Sequence, residues 1–140
     1  RRYPLDCCFS MFKQLFAQGQ EFSYGLAEAG SYYKSYVKLM NHWNGVLPDK
    51  ILRVSNEDII EDLEGQVKRM LEFLELPYEE ECISFYETDR SVRTASSEQV
   101  RRPINKDGME RWKPYSKHLK PLLNSLGEEL LKPEDIALIN

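Results

Sequence analysis

Apolar positions along the first stretch of the chain recur with the period of a helix. Leu5, Cys8, Phe9, Phe12, Leu15 and Phe16 fall three and four residues apart, and Pro4 and Asp6 suit a first turn. The spacing predicts an amphipathic helix with Asp6, Ser10, Lys13 and Gln14 on its outward face. "GQEFSYG" reads as a connection, after which Tyr32, Tyr33, Tyr36, Leu39, Met40 and Trp43 predict a second helix, stopped by Gly45 and Pro48. Its tyrosines are expected in the core. In "DKILRVS" the pattern changes to a short apolar run, Ile51, Leu52 and Val54, which predicts a buried strand. The helical period returns with Ile59, Ile60, Leu63, Val67, Met70, Leu71 and Leu74, with a break expected at Gly65. "PYEEECISFYET" predicts a short helix, and "SLGEELLKPEDIALIN" a closing helix and tail.

One strand followed by a packed helix is a β-to-α step, the unit of an α/β fold with a parallel sheet. A lone strand cannot satisfy its own ladder of backbone hydrogen bonds, so its partners are expected elsewhere. With a first residue that is not methionine, this leads to the expectation that residues 1–140 are the C-terminal part of a single larger domain, mostly helical, with about one core strand. No internal repeat or low-complexity linker interrupts the chain.

Composition agrees with a globular domain: 41% of the 140 residues are hydrophobic and 30% charged, which argues against disorder. No apolar run approaches the roughly 18 residues that span a bilayer, and no signal-peptide pattern opens the chain, so no membrane partner is expected. Cys7, Cys8 and Cys82 make an odd count and read as reduced thiols of a cytoplasmic protein. His42 and His118 are the sole histidines, and no Cys or His pair stands at ligand spacing, so no metal site is expected. His42 reads as structural.

Charge is unevenly distributed. Between Arg90 and Lys120 there are nine basic residues against three acidic, leaving that stretch at +6 and the remainder at −10 within a net charge of −4. Such a block is a candidate anion site. Nucleic acid is not the expected partner, because aromatics do not alternate with the basic residues as they do on stacking platforms.

The opening "RRYPLDCCFS" offers a second anion feature. Arg2 stands just before a helix that starts at Pro4, and Ser10 lies two turns in, so a guanidinium and a hydroxyl could reach one phosphate beside the positive field of a helix N-terminus. "SSEQV" adds Ser96 and Gln99 at capping-box spacing, opening a short helix from which Pro103 forces an exit.

These segments together resemble the sulfotransferases that use 3′-phosphoadenylyl sulfate. In that family an R-x-P-x-D run leads to a serine eight residues after the arginine, and the two residues bind the 3′-phosphate; Arg2 and Ser10 occupy those places. "YYKSYVKLMNHWNGVLP", "NEDIIEDLEGQVKRMLEFLELPYEEECISFYET" and above all "VRTASSEQVRRPINKDGMERWKPYSKHLKPLL" resemble the second half of bacterial sulfotransferases often fused to tetratricopeptide repeats and related to tyrosylprotein sulfotransferases. The resemblance covers nearly the whole chain. It implies a P-loop NTPase-like sulfotransferase fold. It also implies nucleotide contacts from Ser96, Ser97, Gln99, Arg101, Arg102, Asn105 and Arg111, and from Asn56, which stands where the family's Y-E-D-L has its tyrosine. Gln14, with Lys13 adjacent, stands where the tyrosylprotein enzymes carry a further arginine.

What the resemblance implies for function is transfer of a sulfuryl group from 3′-phosphoadenylyl sulfate to a hydroxyl acceptor, which could be tyrosine, a carbohydrate or a small alcohol, with no metal. No Gly-rich phosphate loop ending in Lys and Ser or Thr occurs. The loop for the 5′-phosphosulfate and the catalytic base are therefore expected outside these residues, and the chain alone is expected to be inactive. Helix faces that should cover missing strands would be exposed and favour self-association. The competing class is a non-enzymatic helical interaction module with Tyr32, Tyr36 and Trp43 in a groove, which predicts no preference among nucleotides. A P-loop kinase fragment would not explain the Arg2 to Ser10 segment and "ASSEQVRRPIN" together.

Overall fold

Pro4 opens the first helix at a position where its missing N–H is no loss. A computed structural model describes residues 1–16, 18–87 and 99–140. The described residues contain the helices α1 (Pro4–Lys13), α2 (Leu26–Val46), α3 (Asn56–Glu61), α4 (Leu63–Phe73), α5 (Lys120–Leu126) and α6 (Pro133–Ile139), joined by short 3₁₀ segments and loops. They divide into two units, one made of residues 2–51 and 107–140, the other of Arg1 and residues 52–106.

The first unit holds α1, α2, α5 and α6 around a single apolar core. Leu5, Cys8 and Phe9 are buried as their spacing predicts, but α1 ends where Gln14 turns extended, and Phe12, Leu15 and Phe16 stay exposed. Asp6, expected on the outward face, is buried instead. It lies in the first turn of α1, where the field of the helix N-terminus favours a carboxylate.

Helix α2 begins at Leu26, earlier than the tyrosine pattern suggests, and runs through Gly45. Its buried face is Ala29, Gly30, Tyr33 and Val37, whereas Tyr32, Tyr36, Leu39 and Trp43 are exposed, so of the expected core tyrosines Tyr33 alone goes inside. The reason is the close approach of α5. A β-carbon at Gly30 would fall 2.9 Å from Ser125 Cβ and 3.1 Å from Leu122 Cδ1. Only small residues fit that crossing, and they fix the rotation of α2. Hydroxyls lock the same crossing: Ser31 and Ser125 share a 2.8 Å hydrogen bond, and Ser125 donates to the Ala27 carbonyl at 2.6 Å.

Trp112, Leu119, Leu122, Leu123, Leu126 and Ile139 complete the core. Each fully buried leucine contributes about 1.5–3 kcal/mol. Gly127 ends α5 with φ +82°, a conformation that glycine adopts without strain. Tyr3 then ties the start of α1 to α6, donating its hydroxyl hydrogen to Asp135 at 2.6 Å while the Lys132 backbone N–H donates to the phenol oxygen at 3.1 Å.

In the second unit the predicted strand is an extended segment, 52–55, and no strand is formed among the described residues. Its backbone bonds run to Arg1. The Arg1 nitrogen donates to the Val54 carbonyl at 2.5 Å, and the Asn56 N–H donates to the Arg1 carbonyl at 2.7 Å. That is the slanted register of parallel pairing, with Arg1 opposite Ser55. The helical run that follows breaks at Asp62 rather than at Gly65. Asp62 caps α4 by accepting from the Gly65 N–H at 2.9 Å, and a side chain at position 65 would strike that carboxylate. Residues 80–87 form two 3₁₀ turns, Glu80–Cys82 and Phe85–Glu87, in place of one short helix.

Candidate functional site

Among the sequence-predicted residues, Arg2 has the most defined surroundings. Two residues before Pro4, its carbonyl accepts a 2.6 Å hydrogen bond from the Tyr33 hydroxyl of α2. Its Nη2 donates to the Gly108 carbonyl. Tyr33 thus holds the backbone of Arg2 and Gly108 its guanidinium, all within the same unit. A guanidinium carries five N–H donors, and Arg2 Nε is buried with no acceptor among the described residues. Burial closes Nε to a ligand, so an anion at Arg2 would be met by the Nη hydrogens that the Gly108 carbonyl does not take.

Ser10 lies on the exposed side of α1, two turns beyond Pro4. Lys13, in the last turn, sits 5.3 Å from the centre of the Phe9 ring, a cation–π contact that turns the ammonium toward the core-facing aromatic. Gln14 caps the helix and donates to the next carbonyl at 3.4 Å. Neither replaces an arginine fork. Arg111, in the same unit, is exposed beside buried Trp112, whose Nε1 also lacks an acceptor among the described residues. Lys113 is engaged by Glu110 at 2.7 Å, and that hydrogen bond raises its pKa.

The other predicted residues belong to the second unit. Asn56 is half-buried at the start of α3, its N–H spent on Arg1 and its position fixed by the Ser55 cap, whose oxygen accepts from Asp58 N at 3.4 Å. Gln99 and Arg101 bound a 3₁₀ turn, with Arg101 and Arg102 exposed. Asn105 is exposed and reaches the Pro103 carbonyl at 3.4 Å. Ser96 and Ser97, with Arg90 and Arg93 of the basic block, lie outside the described residues.

Other chemistry-bearing groups fall into structural roles. Burial pushes the Cys8 thiol up to about 12, and its sulfur contacts the Ala29 carbonyl at 3.6 Å, so it stays protonated and inert. Burial first, and the Asp135 hydrogen bond second, raise the pKa of Tyr3 and hold it as the phenol. His42, read from the sequence as structural, is exposed, with its ring 5.4 Å from Trp43. No cluster of metal-ligating side chains occurs among the described residues.

Sequence reasoning missed Tyr33 and Gly108 as partners of Arg2. A signal existed for the second: Asp107-Gly108 is a turn pair, which brings a carbonyl outward where a side chain can reach it. Tyr33 carried no such signal, because its hydroxyl is distinguished from those of Tyr32 and Tyr36 solely by the rotation of α2.

Comparison with known proteins bears on the whole chain. The model of the Sulfotransferase family matches residues 1–80, the part that contains Arg2, Ser10 and Asn56. An uncharacterized protein of Aquifex aeolicus (strain VF5) is 33% identical over 138 residues, an alignment that covers 96% of the chain and 18% of that relative's length. The chain spans a small part of the relative it matches, but the family match covers more than half of its own residues. The chain belongs to the sulfotransferase family.

Proposed function

We propose that this chain is the nucleotide-holding, C-terminal part of a sulfotransferase domain that transfers a sulfuryl group from 3′-phosphoadenylyl sulfate to a hydroxyl acceptor. In that reaction the acceptor oxygen forms a bond to sulfur as the bond from sulfur to the 5′-phosphate oxygen breaks. Adenosine 3′,5′-bisphosphate leaves, and the acceptor proton goes to a base outside these residues. The contribution of this chain is positioning and charge. Arg2 forks onto the 3′-phosphate and Ser10 donates to a third oxygen. Arg111 adds positive charge in the same unit. Asn56, Gln99, Arg101, Arg102 and Asn105, with Ser96 and Ser97, are assigned to the nucleotide by family resemblance. The acceptor is a tyrosine, a carbohydrate or a small alcohol.

One observation carries the reading: an arginine placed before a helix of ten residues, its backbone carbonyl held by Tyr33 and its guanidinium by the Gly108 carbonyl. Membership of the sulfotransferase family supports it. The test is calorimetric titration with adenosine 3′,5′-bisphosphate beside adenosine 5′-monophosphate, which differ by the 3′-phosphate alone. Preference for the bisphosphate, weakened by salt as exposed ion pairs are, is expected. Equal affinity for the two, or no binding by the folded chain, contradicts the assignment. A second reading, a helical interaction module, is favoured by one feature: Tyr32, Leu39 and Trp43 of α2 are 54%, 51% and 40% exposed. It predicts no discrimination in the same titration.

A further inference from the structure

We propose that Gly108 and Tyr33 are positioning residues that set the Arg2 guanidinium in its phosphate-binding pose before any ligand arrives. The inference rests on the assignment of Arg2 to the 3′-phosphate and adds to it which residues make that contact selective.

Three features of the structure carry it. The Tyr33 hydroxyl holds the Arg2 carbonyl at 2.6 Å, which fixes the backbone from which the side chain departs. The Gly108 carbonyl accepts from Arg2 Nη2, which fixes the far end. An arginine side chain anchored at both ends loses its rotamer freedom on folding, so little is left to lose on binding, and preorganised donors bind more tightly for that reason. The third feature concerns space. A β-carbon at Gly108 would have Arg2 Nη2 at 3.1 Å and Cζ at 3.8 Å, with no other atom of the described residues, its chain neighbours aside, within 4 Å. A side chain there would touch the guanidinium and nothing else described. Gly108 also has no positive φ, so alanine brings no backbone strain of its own. Glycine at this position therefore serves the approach of Arg2.

Gly108→Ala is accordingly a substitution whose effect passes through Arg2. The measured quantity is the ratio of affinities for adenosine 3′,5′-bisphosphate and adenosine 5′-monophosphate, by calorimetry, in the unmodified protein and in Gly108→Ala, Tyr33→Phe and Arg2→Ala. Arg2→Ala is expected to remove the preference. Gly108→Ala and Tyr33→Phe should each reduce the ratio about fivefold, less than outright loss of a charged contact, while affinity for the monophosphate and the melting temperature of Gly108→Ala stay as they were. A purely structural role for Tyr33 would lower its melting temperature without moving the ratio. If Gly108→Ala leaves the ratio unchanged while Arg2→Ala removes it, the positioning role is wrong and the phosphate assignment stands. If Arg2→Ala has no effect, or no preference exists to begin with, the assignment itself fails and the positioning role falls with it.

Discussion

Gly30 and Gly45 lie on the same helix, and alanine at each should shift stability in opposite directions. Alanine is favoured over glycine inside a helix by about 1 kcal/mol, less near an end. At Gly45, close to the end of α2, a β-carbon would meet nothing within 4 Å, so Gly45→Ala should stabilise by up to ~1 kcal/mol. At Gly30 the same atom would sit 2.9 Å from Ser125 Cβ, an atom fixed to the α5 backbone that cannot rotate away. Overpacking of this kind costs about 1–3 kcal/mol, which outweighs the propensity gain. The crossing is also held by the Ser31 to Ser125 and Ser125 to Ala27 bonds, so separating the helices would stretch both. The two variants should therefore differ by about 1–3 kcal/mol. Urea unfolding followed by the fluorescence of buried Trp112 would measure this, with exposed Trp43 replaced to remove its signal. Stabilisation by Gly30→Ala equal to that of Gly45→Ala would refute the packing argument.

Two further predictions follow from buried groups. The Cys8 thiol is raised from 9.0 to about 12, so the protein keeps the full benefit below pH 9 and loses it as pH rises from 9 toward 12, at up to about 1.4 kcal/mol per pH unit; Cys8→Ala should flatten that part of the stability profile, and an unchanged profile would contradict it. Tyr3→Phe removes the donor to buried Asp135 and should cost about 1.5–3 kcal/mol in urea unfolding, as for a hydrogen bond to a charged group, while a loss below about 0.5 kcal/mol would mean that Asp135 finds water instead.

How far the sequence could be read depended on whether burial or local pattern decided each element. Pro4 and the Leu5, Cys8 and Phe9 spacing were legible because the local pattern and the core agree there. Phe12, Leu15 and Phe16 were not, since periodicity says which residues share a face and not whether anything covers it. The aromatic stripe of α2 misled for a related reason: the smallest residues, Ala29 and Gly30, win the interface because α5 comes too close for Tyr32 or Tyr36. Asp62 could have been preferred to Gly65 as the break, as an aspartate three residues before a free N–H is a cap signal. At the candidate site, Arg2 and Ser10 were visible as spacing. Tyr33 and Gly108 join Arg2 across 31 and 106 residues of sequence, which no local pattern encodes.

Arg2 is assigned to the 3′-phosphate rather than the 5′-phosphate, and phosphorus NMR of adenosine 3′,5′-bisphosphate reads the two phosphates as separate resonances. On addition of the protein the 3′ resonance should shift or broaden, and with Arg2→Ala it should stay at its free position. Perturbation of the 5′ resonance alone, or a 3′ shift that survives Arg2→Ala, would contradict the assignment of Arg2 to the 3′-phosphate.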